Sequence, residues 1–149
     1  MISRHFRYHT KNNMDIKERI QQLLKGLVAC DSVSCTSREN KASEYVYDVL
    51  KSIPYFKEHP EQMGKSKLAN DPYDRFVVYG LILGKSKSTV MLSGHIDVVS
   101  TEVYGEAQDL AFSVGPELEK KLSTMDLDPQ SRKDMDSGEW RLIRPHKSF

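Results

Sequence analysis

The chain has two cysteines, Cys30 and Cys35, in 149 residues. Two thiols do not make a disulfide framework. Their loose spacing, with no second Cys/His pair downstream, does not suit a structural zinc site either. They read as ordinary thiols flanking a helix-to-loop junction, in a protein of a reducing cytoplasm. An excess of one charge is also missing. The 22 basic and 21 acidic residues leave a formal net charge of +1, so there is no global electrostatic footprint for nucleic acid or a membrane surface. No apolar run is long enough to span a bilayer, and no internal repeat or low-complexity tract is visible. Met1 to Asn13 contains no acid and no apolar stretch of the kind a signal peptide needs. Its Arg4, Arg7, Lys11, His5 and His9 offer a weak nucleic-acid alternative, but the segment reads more simply as a disordered basic extension, with Met14 as a natural start. A hydrophobic share of 38% against 29% charged residues suits a globular protein of one domain.

The patterned part opens with a helix over Asp15 to Ala29, in which Ile16, Ile20, Leu23, Leu24, Leu27 and Val28 form one apolar stripe. A polar loop follows over Asp31 to Ser37. Thr36 and Glu39 match a capping box for a second helix, whose buried face is Ala42, Tyr45, Val46, Val49, Leu50 and Ile53, and Pro54 ends it. Tyr55 to Met63 includes a short strand, and Asn70-Asp71-Pro72 is a turn. Arg75 to Leu83 and Thr89 to Leu92 read as strands joined by a polar hairpin-type turn over Gly84 to Ser88. Pro116 to Leu122 reads as a helix, and Asp126 to Asp136 as a surface loop or short helix. Helices followed by strands in this order predict an α/β layer architecture.

The chemistry concentrates at Ser93-Gly94-His95-Ile96-Asp97-Val98-Val99, directly after the predicted strand Thr89 to Leu92. Ligand sites in open α/β sheets sit just beyond the carboxyl ends of strands. Gly94 lets the backbone turn. His95 then presents a ring nitrogen to a metal, and Asp97 accepts a hydrogen bond from the other nitrogen, fixing the tautomer. On spacing alone, a His-x-Asp pair is more simply a hydrogen-bonded structural pair.

In its context the motif resembles the first metal motif of the dinuclear zinc exopeptidase and deacylase family, which includes acetylornithine deacetylase, succinyl-diaminopimelate desuccinylase, aminoacylase and carboxypeptidase G. Asp31-Ser32-Val33-Ser34 between two helices looks like that family's opening. Asp109-Leu110-Ala111-Phe112 looks like its element between the first and second metal motifs, and Ser137-Gly138-Glu139-Trp140 like the lead-in to the second. The segment from His95 to Trp140 is most similar to the arginine-utilisation subgroup. The resemblance implies the N-terminal part of a three-layer α/β/α domain with its sheet incomplete: a basic extension over 1–13, a partial catalytic domain over 14–140 and an unrelated tail over 141–149. It implies His95 as a zinc ligand and Asp97 as the carboxylate in the catalytic site that orients it. Two Zn2+ ions per complete site, a small peptide or N-acyl amino acid as substrate, and no nucleic-acid or membrane partner are implied as well.

The sequence departs from the family after Trp140. A Gly-Arg-Gly turn leading to a metal-bridging Asp is expected there, and Arg141 to Phe149 instead carries Arg141, Arg144 and Lys147 and no acid. The bridging Asp, the general-base Glu and the later ligands are missing. A frameshift or premature stop near codon 141 is the expectation, and His146 reads as a tail residue. One imidazole does not hold a catalytic zinc, which needs about three protein ligands. The expectation is therefore a chain inactive by itself, which pairs with a separately encoded C-terminal remainder. A non-enzymatic interaction module, or an unrelated small α/β protein with a structural His95, are the alternatives.

Overall fold

The computed structural model describes residues 15–137. The elements run in the order α1 (Ile16–Val28), α2 (Glu39–Ser52), α3 (Pro54–Glu58), β1 (Met63–Lys67), β2 (Phe76–Gly80), α4 (Pro116–Thr124) and α5 (Pro129–Ser137). A short 3-10 turn, Pro60–Gln62, leads into β1, and 3-10 segments over Thr101–Leu110 meet at a kink at Gly105, φ 51°. The class is mixed α/β, as the order of helices and strands predicts. The expected boundaries at residues 13 and 140 lie outside the described residues, as do Gly138 to Trp140 and His146.

β1 and β2 pair antiparallel, with Met63 opposite Gly80, Lys65 opposite Val78 and Lys67 opposite Phe76. α2 packs on this hairpin. Ser43 is buried and donates its hydroxyl to Phe76 O at 3.3 Å. Lys65 pairs with Glu44 and lies over the rings of Tyr47 and Phe76 at 4.3 and 4.8 Å. Its aliphatic stem thus covers apolar surface while the ammonium stays paired. The buried apolar residues here are Ala42, Phe56 and Met63; Ala107 and Ala111 are buried in the 3-10 region.

The strand expected between Tyr55 and Met63 lies further on. Pro54 both ends α2 and opens α3 at its first turn, where a missing N–H costs nothing, so the strand begins only at Met63. Residues 81–97 contain no strand, which corrects two expectations. The segment from Arg75 is a strand only as far as Gly80, and Thr89 to Leu92 is not one. A strand exists through its ladder partners, and among the described residues Thr89 to Leu92 has none. Val90, Met91 and Leu92 stand 87%, 84% and 94% exposed. The expected hairpin at Gly84 to Ser88 is reduced to a bend at 85–87.

Thr36 and Glu39 stand at the start of α2 but do not form a reciprocal box. The Thr36 hydroxyl donates to Val33 O at 2.7 Å and accepts from Arg38 N at 3.2 Å. Glu39 instead accepts from Cys35 N and from Arg75 Nη1, the latter at 3.0 Å. Arg75 is the hub of the connection between the strands. Its Nε donates to Asp71 Oδ1 at 2.9 Å, while Asp71 Oδ2 accepts from Tyr73 N at 3.1 Å and Arg75 N at 2.9 Å. Asn70 and Asp74, at φ 58° and 53°, flank this turn; their short polar side chains tolerate the left-handed region.

α1 is held lightly, with no residue buried. Its contact with α2 runs through Gly26. A Cβ there would lie 2.1 Å from Tyr45 Oη, and that hydroxyl donates to Leu23 O at 3.1 Å. Gly26→Ala improves intrinsic helix propensity by about 1 kcal/mol, yet it displaces Tyr45 and its hydrogen bond. We expect a net loss of about 1 kcal/mol in urea denaturation; a gain would show that Tyr45 does not anchor α1.

Asp71 also sets a pH dependence. Hydrogen bonds from the Arg75 side chain, and then from backbone N–H groups, hold its carboxyl down to about 2. A carboxylate with a depressed folded value stabilises the fold fully above its unfolded value near 4. That contribution is lost as pH falls toward 2. The urea-midpoint difference between the native chain and Asp71→Asn should be constant above pH 5 and shrink steadily between pH 4 and 2. A pH-independent difference would refute the assignment.

Candidate functional site

The loop after α1 meets the segment after His95. Ser34 N donates to Val98 O at 2.8 Å and Val98 N donates to Ser32 O at 3.0 Å, which makes a single parallel bridge between Val33 and Val98. Ser32 is 1% exposed, and its hydroxyl donates to Ile96 O at 3.0 Å. Alternation along Ser32-Val33-Ser34 places both hydroxyls on the same side of this extended stretch. Cys35, at φ 59°, then turns the chain back toward α2.

The Ser34 hydroxyl lies 2.6 Å from Asp97 Oδ2 and 2.9 Å from Val98 O. Its one hydrogen favours the shorter, charge-assisted contact to the carboxylate. The other Asp97 oxygen, Oδ1, lies 3.1 Å from His95 Nδ1. The Asp97 carboxyl is held below the usual carboxylate range, first by the Ser34 hydroxyl, with smaller help from its own backbone N–H and from His95; partial burial opposes them. An ionised Asp97 accepting from Nδ1–H leaves Nε2 as the lone-pair nitrogen. The His95 side chain is 87% exposed, and Nε2 has no hydrogen-bond partner among the described residues. The result is a relay in which Ser34 orients Asp97 and Asp97 orients His95.

His95 and Asp97 are therefore brought together as the sequence reading expects, but not at the end of a strand, because Thr89 to Leu92 is unpaired. Gly94 also differs from expectation: its φ is not positive, and nothing lies within 4 Å of where a Cβ would stand. Sequence reasoning missed the roles of Ser32 and Ser34. The available signal was the polar-apolar-polar alternation in Asp31-Ser32-Val33-Ser34, which marks a short stretch able to pair.

No group of three or more His, Cys, Asp or Glu side chains suited to a metal occurs among the described residues. His59 belongs elsewhere, 4.8 Å from the Tyr55 ring and 3.8 Å from Glu61. Cys30 and Cys35 are free thiols. Burial pushes the Cys30 thiol up, against a weaker pull from Lys41. The described residues thus offer one oriented imidazole and no closed shell. No helix among them is long and apolar enough to cross a membrane.

The chain is similar to protein RocB of Bacillus subtilis, at 32% identity over 92% of this chain. It is also similar to the uncharacterised protein YqjN of the same organism, at 33% identity over 89%. The chain spans about a quarter of the length of these curated relatives, 24% of each. No protein-family profile matches it, and no solved structure does.

Ser34→Ala tests the relay. The Asp97 carboxyl should rise toward its ordinary value when titrated by carboxyl carbon NMR, since its largest stabilising contact is gone. Depressed Asp97 supports the fold above the unfolded carboxylate value, and that support fades as pH falls through the folded value. The variant should therefore lose less stability on acidification than the native chain. An unchanged Asp97 titration would remove Ser34 from the relay.

Proposed function

We propose that this chain carries one corner of the metal site of a zinc-dependent amide hydrolase acting on small N-acyl amino acids or peptides, of the subgroup associated with arginine utilisation. The relay Ser34–Asp97–His95, ending on an exposed and unpartnered Nε2, is the observation that carries this reading. The likeness to RocB over nearly the whole chain supports it.

His95 would hold zinc through Nε2. Asp97 keeps the proton on Nδ1, so that Nε2 is the nitrogen presented to a metal. Ser34 keeps Asp97 turned toward His95 and ionised. Zinc held in a complete site would supply Lewis-acid chemistry to an amide carbonyl and to a water. A shell needs about three protein ligands, and the described residues offer one, so no catalytic step follows from them. This chain by itself should bind zinc weakly and hydrolyse nothing. A reducing cytoplasm remains the proposed compartment, on the strength of the two free thiols.

The competing reading makes His95 structural. Its exposure argues against that, because a structural histidine gains its value from buried contacts. His95→Ala should shift stability by less than about 0.5 kcal/mol. Zinc titration followed by imidazole NMR should perturb His95 in the native chain and in His59→Ala, saturating at roughly 0.1 mM or above, as one ligand allows. If His95 stays unperturbed at millimolar zinc, or its loss destabilises the fold, the metal-site reading fails. Stoichiometric zinc retained through gel filtration would instead show a shell richer than the one described.

A further inference from the structure

Ser34 can hold Asp97 only while its own backbone is held. The peptide plane before Ser34 is fixed from both sides: Ser34 N donates to Val98 O at 2.8 Å, and Val33 O accepts from the Thr36 hydroxyl at 2.7 Å. The plane after Ser34 is the more demanding one. It leads into Cys35 at φ 59°, a left-handed conformation that a residue with a Cβ keeps only where its surroundings impose it. The Ser34 carbonyl and the Cys35 N–H share that rigid plane. Whatever fixes the N–H therefore also fixes the twist of the chain at Ser34, and with it the direction of the Ser34 side chain.

Glu39 supplies that hold. Its Oε1 accepts from Cys35 N, and the same oxygen accepts from Arg75 Nη1 at 3.0 Å. The Glu39 side chain is 17% exposed, so little water competes for it. Arg75 reaches Glu39 from 36 residues along the chain. It is pinned in turn by Asp71, whose Oδ1 accepts from Arg75 Nε at 2.9 Å. One rigid guanidinium thus spans two carboxylates, and the oxygen that steers the loop is set from the turn between β1 and β2.

We propose that Glu39, held by Arg75, is a positioning residue of the His95 site. It sets the peptide plane after Ser34, and through the Ser34 hydroxyl and the Asp97 carboxylate it sets which ring nitrogen His95 presents. Glu39 touches neither the imidazole nor anything the imidazole would bind. The proposal rests on the metal-site reading for its purpose, but not for its first readout, which belongs to the zinc-free chain.

That readout is the tautomer of neutral His95, given by imidazole nitrogen NMR above the titration range of the ring. In the native chain the Nδ1–H form should predominate. Glu39→Ala should move the ring away from that form. It should also weaken zinc at His95 roughly tenfold, the lower end of what loss of an outer partner costs. Glu39→Gln keeps an acceptor oxygen and should restore most of both. Arg75→Lys cannot donate to both carboxylates in one geometry. It should repeat the change in smaller degree, and it carries the test if Glu39→Ala does not fold. Phe56→Leu shortens a buried side chain that has no part in these contacts. It should lower the urea midpoint and leave both tautomer and zinc affinity alone.

Native tautomer populations in the folded Glu39 and Arg75 variants overturn the proposal. So does a native ring that does not favour Nδ1–H, or an equal change in Phe56→Leu, which would make the effect one of stability alone. If zinc leaves His95 unperturbed in the native chain, the metal-site reading fails by itself, and the tautomer populations still decide whether Glu39 positions the ring.

Discussion

The position of the candidate site depends on a short contact between residues distant in the chain, where Ser32 and Ser34 exchange backbone hydrogen bonds with Val98. Closing a loop of that length costs roughly 4 kcal/mol in chain entropy. Two backbone bonds and the Ser32 and Ser34 hydroxyl bonds return about 1 kcal/mol each, so they offset that cost and little more. The burial of Ser32 and Val33 is what makes the contact persist. His95 makes no backbone bond in this contact and joins it only through Nδ1 to Asp97, which leaves its Nε2 open to another partner.

The loop is itself anchored from the other side. Cys35 N donates to Glu39, and Glu39 accepts from Arg75, which in turn grips Asp71. A line of hydrogen bonds therefore runs from the turn between the strands, through the start of α2, to the loop that holds Asp97. Asp71 stays ionised far into acid and Arg75 stays charged, because each raises the other's preference for the charged form. The Arg75 guanidinium, donating to carboxylates on two elements, sets their separation more firmly than a lysine would. The site thus rests on polar contacts around α2, while the apolar stripe of α1 carries little of the load.

What was legible in the sequence follows from the range of the forces involved. α1, α2 and α4 are written in local periodicity, and each appears within a residue or two of its expected bounds. The His95–Asp97 pair was legible because two residues of separation suffice to bring its atoms together. Ser34 was not, because its role depends on a partner across the loop closure. The strand at Thr89 to Leu92 was misread for the same reason: composition gives a preference for extended chain, but hydrogen-bond partners decide whether a strand exists. The capping box failed because the Glu39 carboxylate is taken up by Cys35 N and by Arg75, far along the chain, while the Thr36 hydroxyl is engaged with Val33 O and Arg38 N.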